Sequence, residues 1–81
     1  MTQRETLARY LAHCGCRLMQ RTEKRWSYMN DHTGQRYYLG ASGSWRVGPS
    51  FSASRPVSDR AKAEALAWAG ACATRGADEL L

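Results

Sequence analysis

The sequence predicts an α+β domain: a helix, a three-stranded antiparallel sheet and a second helix, with both helices on one face of the sheet. Three observations lead there. Apolar residues recur at steps of three and four from Leu7 to Cys14 and from Ala61 to Cys72, they alternate every second residue between Cys16 and Leu39, and turn-forming clusters separate the segments. Two amphipathic helices need an apolar sheet face on which to bury their stripes, and an antiparallel sheet offers one such face while leaving the other wet. With 81 residues the chain is expected to be a single domain, 1–81, with a thin core.

The first helix is predicted over residues 3–14. Thr2 and Glu5 stand at capping-box spacing, Leu7, Tyr10, Leu11 and Cys14 form one face, and Gly15 is placed to end the helix in a left-handed turn. The strands follow as Cys16–Arg21, Arg25–Asn30 and Gln35–Leu39. Thr22-Glu23-Lys24 makes the first turn, and Asp31-His32-Thr33-Gly34 the second. Alternation sends Cys16, Leu18, Trp26, Tyr28, Tyr37 and Leu39 towards the helices, and Arg17, Met19, Arg21, Arg25, Met29, Arg36 and Tyr38 to the open face. Residues 40–55 are rich in Gly and Ser and are expected to be a long loop, with Ser44–Val47 suited to a short fourth strand. The last helix, 58–75, is capped by Ser58 or Asp59 and carries an Ala61, Ala65, Trp68, Ala69 and Cys72 stripe. Gly76 stops it and leaves 77–81 as a frayed tail.

Several function classes find no support. The alanine-rich run Ala65–Ala73 is too short to span a bilayer, and the first residues lack the apolar stretch of a secretory signal, so the cytoplasm is the expected compartment and no membrane partner is expected. Three cysteines, two of them flanking Gly15, make neither a disulfide framework nor zinc-ligand spacing, so they are expected to be buried thiols and no metal is expected. Gly40-Ala41-Ser42-Gly43-Ser44 lacks the lysine and following helix of a phosphate-binding loop, and no cofactor is expected. His13 sits near a helix end and His32 in a turn, so no catalytic residue is assigned.

The charge is the informative feature. Ten of the twelve basic residues are Arg, and nine basic against three acidic side chains lie between residues 17 and 62. The planar guanidinium fork suits phosphate or carboxylate. Arg17, Arg21, Lys24, Arg25 and Arg36 are expected beside Tyr38 on or next to the open sheet face, where arginines and an aromatic ring together hold phosphates and stack bases. Trp45 and Arg46 join them from the long loop, since loops of that length in small domains are often functional. Arg55, Arg60 and Lys62 flank the start of the last helix, whose N–H groups also attract phosphate. The expected partner is nucleic acid, or an acidic surface of a protein complex that handles it. The plainer reading is that these charges keep a wet sheet face soluble and its edges unpaired.

The stretch Glu5-Thr-Leu-Ala-Arg-Tyr-Leu-Ala-His-Cys-Gly-Cys-Arg-Leu, with Asp31-His-Thr-Gly-Gln-Arg, resembles the HicA toxin family over residues 5–39. The fold of that family is similar to the double-stranded-RNA-binding domain, and its members cleave messenger RNA with a histidine just after the first strand. Here that position falls in Thr22-Glu23-Lys24-Arg25-Trp26, without a histidine. The resemblance therefore implies the fold, and the activity expected is binding without catalysis. Two alternatives stand beside this reading. One is a HicA-like ribonuclease with a displaced catalytic residue. The other is a phage or mobile-element inhibitor of a bacterial defence system, similar in size and character to anti-CRISPR proteins. His13→Ala and His32→Ala are expected to leave the behaviour of the purified protein towards RNA unchanged. RNA cleavage that either substitution abolishes would replace the binding reading with the toxin one.

Overall fold

Thr2 starts the first helix as its spacing with Glu5 predicts. Its hydroxyl accepts from the Glu5 N–H at 3.2 Å, and the Glu5 carboxylate accepts from the Thr2 N–H at 3.2 Å. That backbone bond, followed by the Thr2 hydroxyl, holds the Glu5 carboxyl below its ordinary pKa, so the cap contributes when Glu5 is ionised and fades in acid. The computed structural model describes residues 2–75. Its elements are α1 (Gln3–His13), β1 (Cys16–Arg21), β2 (Arg25–Asn30), β3 (Arg36–Gly40), β4 (Trp45–Gly48), β5 (Arg55–Pro56) and α2 (Asp59–Arg75). Gly15 and Gly34 take the positive φ values their turns require, +87° and +73°. Residues 76–81, with the helix stop and tail expected there, lie outside the described residues.

The α+β class and the helix–sheet–helix order are those predicted, but the sheet is wider. Five strands pair antiparallel in the order β1-β2-β3-β4-β5. The short fourth strand expected at Ser44–Val47 is β4, one residue further on, and β5 is an added strand at the end of the 40–55 segment, the rest of which is loop. Tyr37 pairs with Val47 and Leu39 with Trp45, and the two-residue β5 adds Arg55 opposite Val47. The sequence signal for β4 was weak because only Trp45 and Val47 alternate before Gly48 and Pro49 intervene.

Both helices feed one core. Leu7 and Leu11 of α1 and Ala65 of α2 pack with Trp26, Tyr28, Leu39, Trp45, Val47 and Val57. α1 lies against β1 and β3, whereas α2 packs chiefly against α1. Ser58 caps α2, its hydroxyl accepting from the Ala61 N–H at 3.2 Å.

Three core expectations need correction. Leu18 faces the helix side, paired with Tyr28, but it sits on the edge strand and is 47% exposed. Trp68 is half-buried, stacked on His13 at 4.9 Å and edge-on to Tyr10 at 5.6 Å, and so seals the contact between the helices instead of filling the core. Trp45, expected as a binding residue on the 40–55 segment, takes that place at 3% exposure. Cys14 is exposed and Cys16 and Cys72 are half-buried, so the thiols are not the buried hydrophobes expected.

Trp45→Ala is therefore expected to cost about 3–5 kcal/mol, as large aromatic deletions in cores do. Trp68→Ala should cost less, because its ring keeps part of its surface in water. Urea denaturation of the two variants checks the order, and a larger loss for Trp68 would mean the core is centred elsewhere.

Candidate functional site

Residues paired across strands share a face, so the ladder sorts the basic residues without ambiguity. Gln20, Ser27, Tyr38, Arg46 and Pro56 form one row across the face away from the helices, and Arg17, Met29, Arg36 and Gly48 form the next. Arg25, opposite Gly40, belongs to the same face. Arg21 does not. The register slips between Leu18 and Gln20, a bulge at Met19 that moves every later side chain of β1 to the other face. Arg21 thus pairs with Trp26 on the helix side, where its guanidinium sits 4.3 Å from the Trp26 ring centroid and that of Arg4 sits 4.2 Å away. The expectation that Arg21 lies on the open face is corrected by this one-residue bulge.

The open face is partly roofed. After β4 the chain turns at Pro49 and folds residues 50–54 back over the sheet. Arg46 anchors that return, donating from Nε to the Ser54 hydroxyl at 2.8 Å and from a terminal nitrogen to the Ser54 carbonyl at 2.7 Å. The Ser54 hydroxyl in turn donates to the Phe51 carbonyl at 2.6 Å. Gly48 makes the close return feasible: a Cβ there would stand 2.7 Å from the Ala53 carbonyl oxygen and from the Ser54 Cα. Arg46 is therefore a structural clamp as well as a residue on the predicted face.

The roof places Phe51 edge-on over Tyr38, with ring centroids 5.5 Å apart at 81°. Tyr38 is left 6% exposed, so its ring is not the stacking surface the alternation predicted. Phe51 takes that position at 44% exposure, with the Arg25 guanidinium 3.8 Å from its ring centroid and 5.8 Å from that of Tyr38. Grooves of about 460 and 420 Å³ adjoin this stack. Lys24, Arg25, Arg46 and Ser42 line the first, while Arg25, Arg36, Gln20 and Ser50 line the second, and no carboxylate among the described residues lines either.

The other predicted residues are dispersed. Arg17 is on the open face but pairs with Asp31 at 3.1 Å, an exposed contact that balances its charge and adds little stability. Arg55, exposed on β5, lines a cleft on the helix side, and Trp45 lines the same cleft from within the core. Arg60 faces Glu64 one turn along α2 at 3.5 Å, and Lys62 is half-buried on that helix. The eleven basic and aromatic candidates thus do not form one surface. Lys24, Arg25 and Arg36 gather around Phe51, a residue that composition marked only as the lone Phe of a Gly- and Ser-rich stretch.

His13 stacks on Trp68 and His32 is exposed in the β2–β3 turn. Among the described residues, no three His, Cys, Asp or Glu side chains gather as a metal-binding group, and no helix is long and apolar enough to cross a membrane. No protein-family model, curated protein or solved structure matches the chain.

Gly48→Ala tests the clamp. Its Cβ meets backbone rather than a yielding side chain, so the 50–54 segment must shift. The expected cost is about 1–3 kcal/mol, as for other overpacked positions. Faster hydrogen exchange at the Ser54 amide, with the strand amides of β2 and β3 unchanged, is the expected local signature. An unaltered Ser54 amide would mean that the roof does not depend on this close approach.

Proposed function

We propose that this chain is a non-catalytic binding module that holds unpaired nucleic acid on the open sheet face. The observation that supports it is the exposed Phe51 ring, backed by Tyr38 and flanked by Lys24, Arg25 and Arg36 in grooves without a carboxylate. An exposed ring offers a base a stacking surface, and cations on both sides of it meet the phosphates that lead to and from that base. A duplex presents no free base face to such a platform, so single strands, loops or ends are the fitting form. The Arg25 guanidinium sits 3.8 Å from the Phe51 ring centroid, so it joins the ring while its N–H groups remain donors for a phosphate.

This reading separates charge from stacking in a way that experiment can follow. With Lys24, Arg25 and Arg36 each meeting one phosphate, log K against log salt should have a slope of about −2 for a single strand, from about 0.7 per phosphate. Arg25→Ala with Arg36→Ala should flatten that slope by about 1.4. Phe51→Ala should weaken binding by about 1–3 kcal/mol and leave the slope as it was, because a base contact releases no counterion. Arg21→Ala, on the other face, should change neither. Anisotropy titrations of a labelled single-stranded oligonucleotide provide all four values. A double Arg variant that binds with an undiminished slope would end this proposal. Salt-sensitive capture of an acidic protein, without oligonucleotide binding, would replace it by the inhibitor reading.

A further inference from the structure

The helix side of the sheet carries a second concavity that owes nothing to the basic face. α2 packs against α1, and a cleft of about 390 Å³ remains between the two helices and the strands. That volume lies within the span of small-molecule sites, about 300–1,000 Å³. Three aromatic rings wall it. Tyr10 and Tyr37 each stand 6.2 Å from Trp45, centroid to centroid, Tyr10 close to perpendicular at 78° and Tyr37 tilted at 46°.

Trp45 is the unusual member. It is 3% exposed, and its Nε1–H is buried with no hydrogen-bond acceptor. Buried indole N–H groups nearly always find a partner, because an unmet donor forfeits its bonds to water without replacement. That N–H lies beneath the wall, so what Trp45 offers the cleft is its ring.

The charge around the cleft specifies what sort of ligand fits. Arg55 is the one charged side chain among the described residues that line it, and Ser58 brings the N-terminal turn of α2 to the same rim. Arg55 favours an anion, whereas the first turn of α2 already carries the Asp59 carboxylate and adds no attraction. Burial raises the Cys16 thiol above its ordinary pKa, and burial likewise raises the Tyr37 hydroxyl, so neither opposes a negative ligand near neutral pH.

We propose that this cleft binds a small planar aromatic carboxylic acid. Its ring lies among Tyr10, Tyr37 and Trp45, and Arg55 balances the carboxylate. Stacking supplies ring selectivity, and the charge-assisted contact selects the acid over its amide.

The test uses the full ¹⁵N-labelled chain and sodium 1-naphthoate, followed through the indole N–H signals of Trp26, Trp45 and Trp68. The Trp26→Phe and Trp68→Phe variants assign the three signals. Naphthoate should move the Trp45 signal saturably, and 1-naphthamide should bind about tenfold more weakly, the loss of one charge-assisted contact. Arg55→Ala, an exposed position, should weaken naphthoate by about the same factor and leave naphthamide unaffected. Ala61→Leu, which extends a side chain into the cleft, should abolish the Trp45 response while the circular dichroism and melting curve keep their native form. A Trp45 signal that naphthoate does not move overturns the proposal. So does naphthoate binding that is equally strong in the Arg55→Ala and Ala61→Leu variants, since the ligand is then held elsewhere.

Discussion

The candidate site depends on two hydrogen bonds from Arg46 to Ser54. They draw the chain after β4 back over the face that the helices leave uncovered, and Gly48 permits the backbone-to-backbone approach this requires. Without them Tyr38 would lie open and Phe51 would hang from an untethered loop. With them Tyr38 becomes a buried support, Phe51 becomes the outward ring, and Arg25 is brought against both. A cation spent on structure thereby organises those left for a ligand.

A domain of this size has too few elements to cover both faces of a five-stranded sheet. The two helices share one core on one side, and six residues of loop protect part of the other. β4 carries both arrangements at once. Trp45 and Val47 point into the core, while Arg46 between them points to the open face and holds the roof. Adjacent residues of one short strand so connect the aromatic cleft on the helix side with the basic grooves on the other.

What was legible in the sequence is what local chemistry determines. The Thr2–Glu5 cap, the glycine that ends α1, the two hairpin turns and the Ser58 cap each depend on residues within a few positions of one another. The alternation over 16–39 also sorted Trp26, Tyr28 and Leu39 correctly into the core. The errors share a cause. The Met19 bulge leaves no mark on Cys16–Arg21, yet it moves Arg21 to the opposite face, because strand parity changes with a single inserted residue. Tyr38 is on the predicted face but is covered by a segment thirteen positions further on, and Leu18 is on the core face but at an edge strand. A side-chain period shows which way a residue points and is silent on what arrives to cover it. Phe51 was legible only as an aromatic of the long loop for the same reason, since its position over the sheet comes from Gly48 and Arg46 and from nothing in its own neighbourhood.

The central claim is that unpaired bases meet the protein at Phe51 between Lys24, Arg25 and Arg36. Chemical-shift mapping with a short single-stranded homopolymer addresses it most directly. The predicted result is a continuous set of perturbations over the Phe51 ring, the Arg25 and Arg36 Nε–H groups and the backbone of residues 41–44, with the backbone amides of α2 unmoved. Perturbations centred on Arg55, Arg60 and Lys62 at the start of α2, or none anywhere as the strand saturates, would contradict the account.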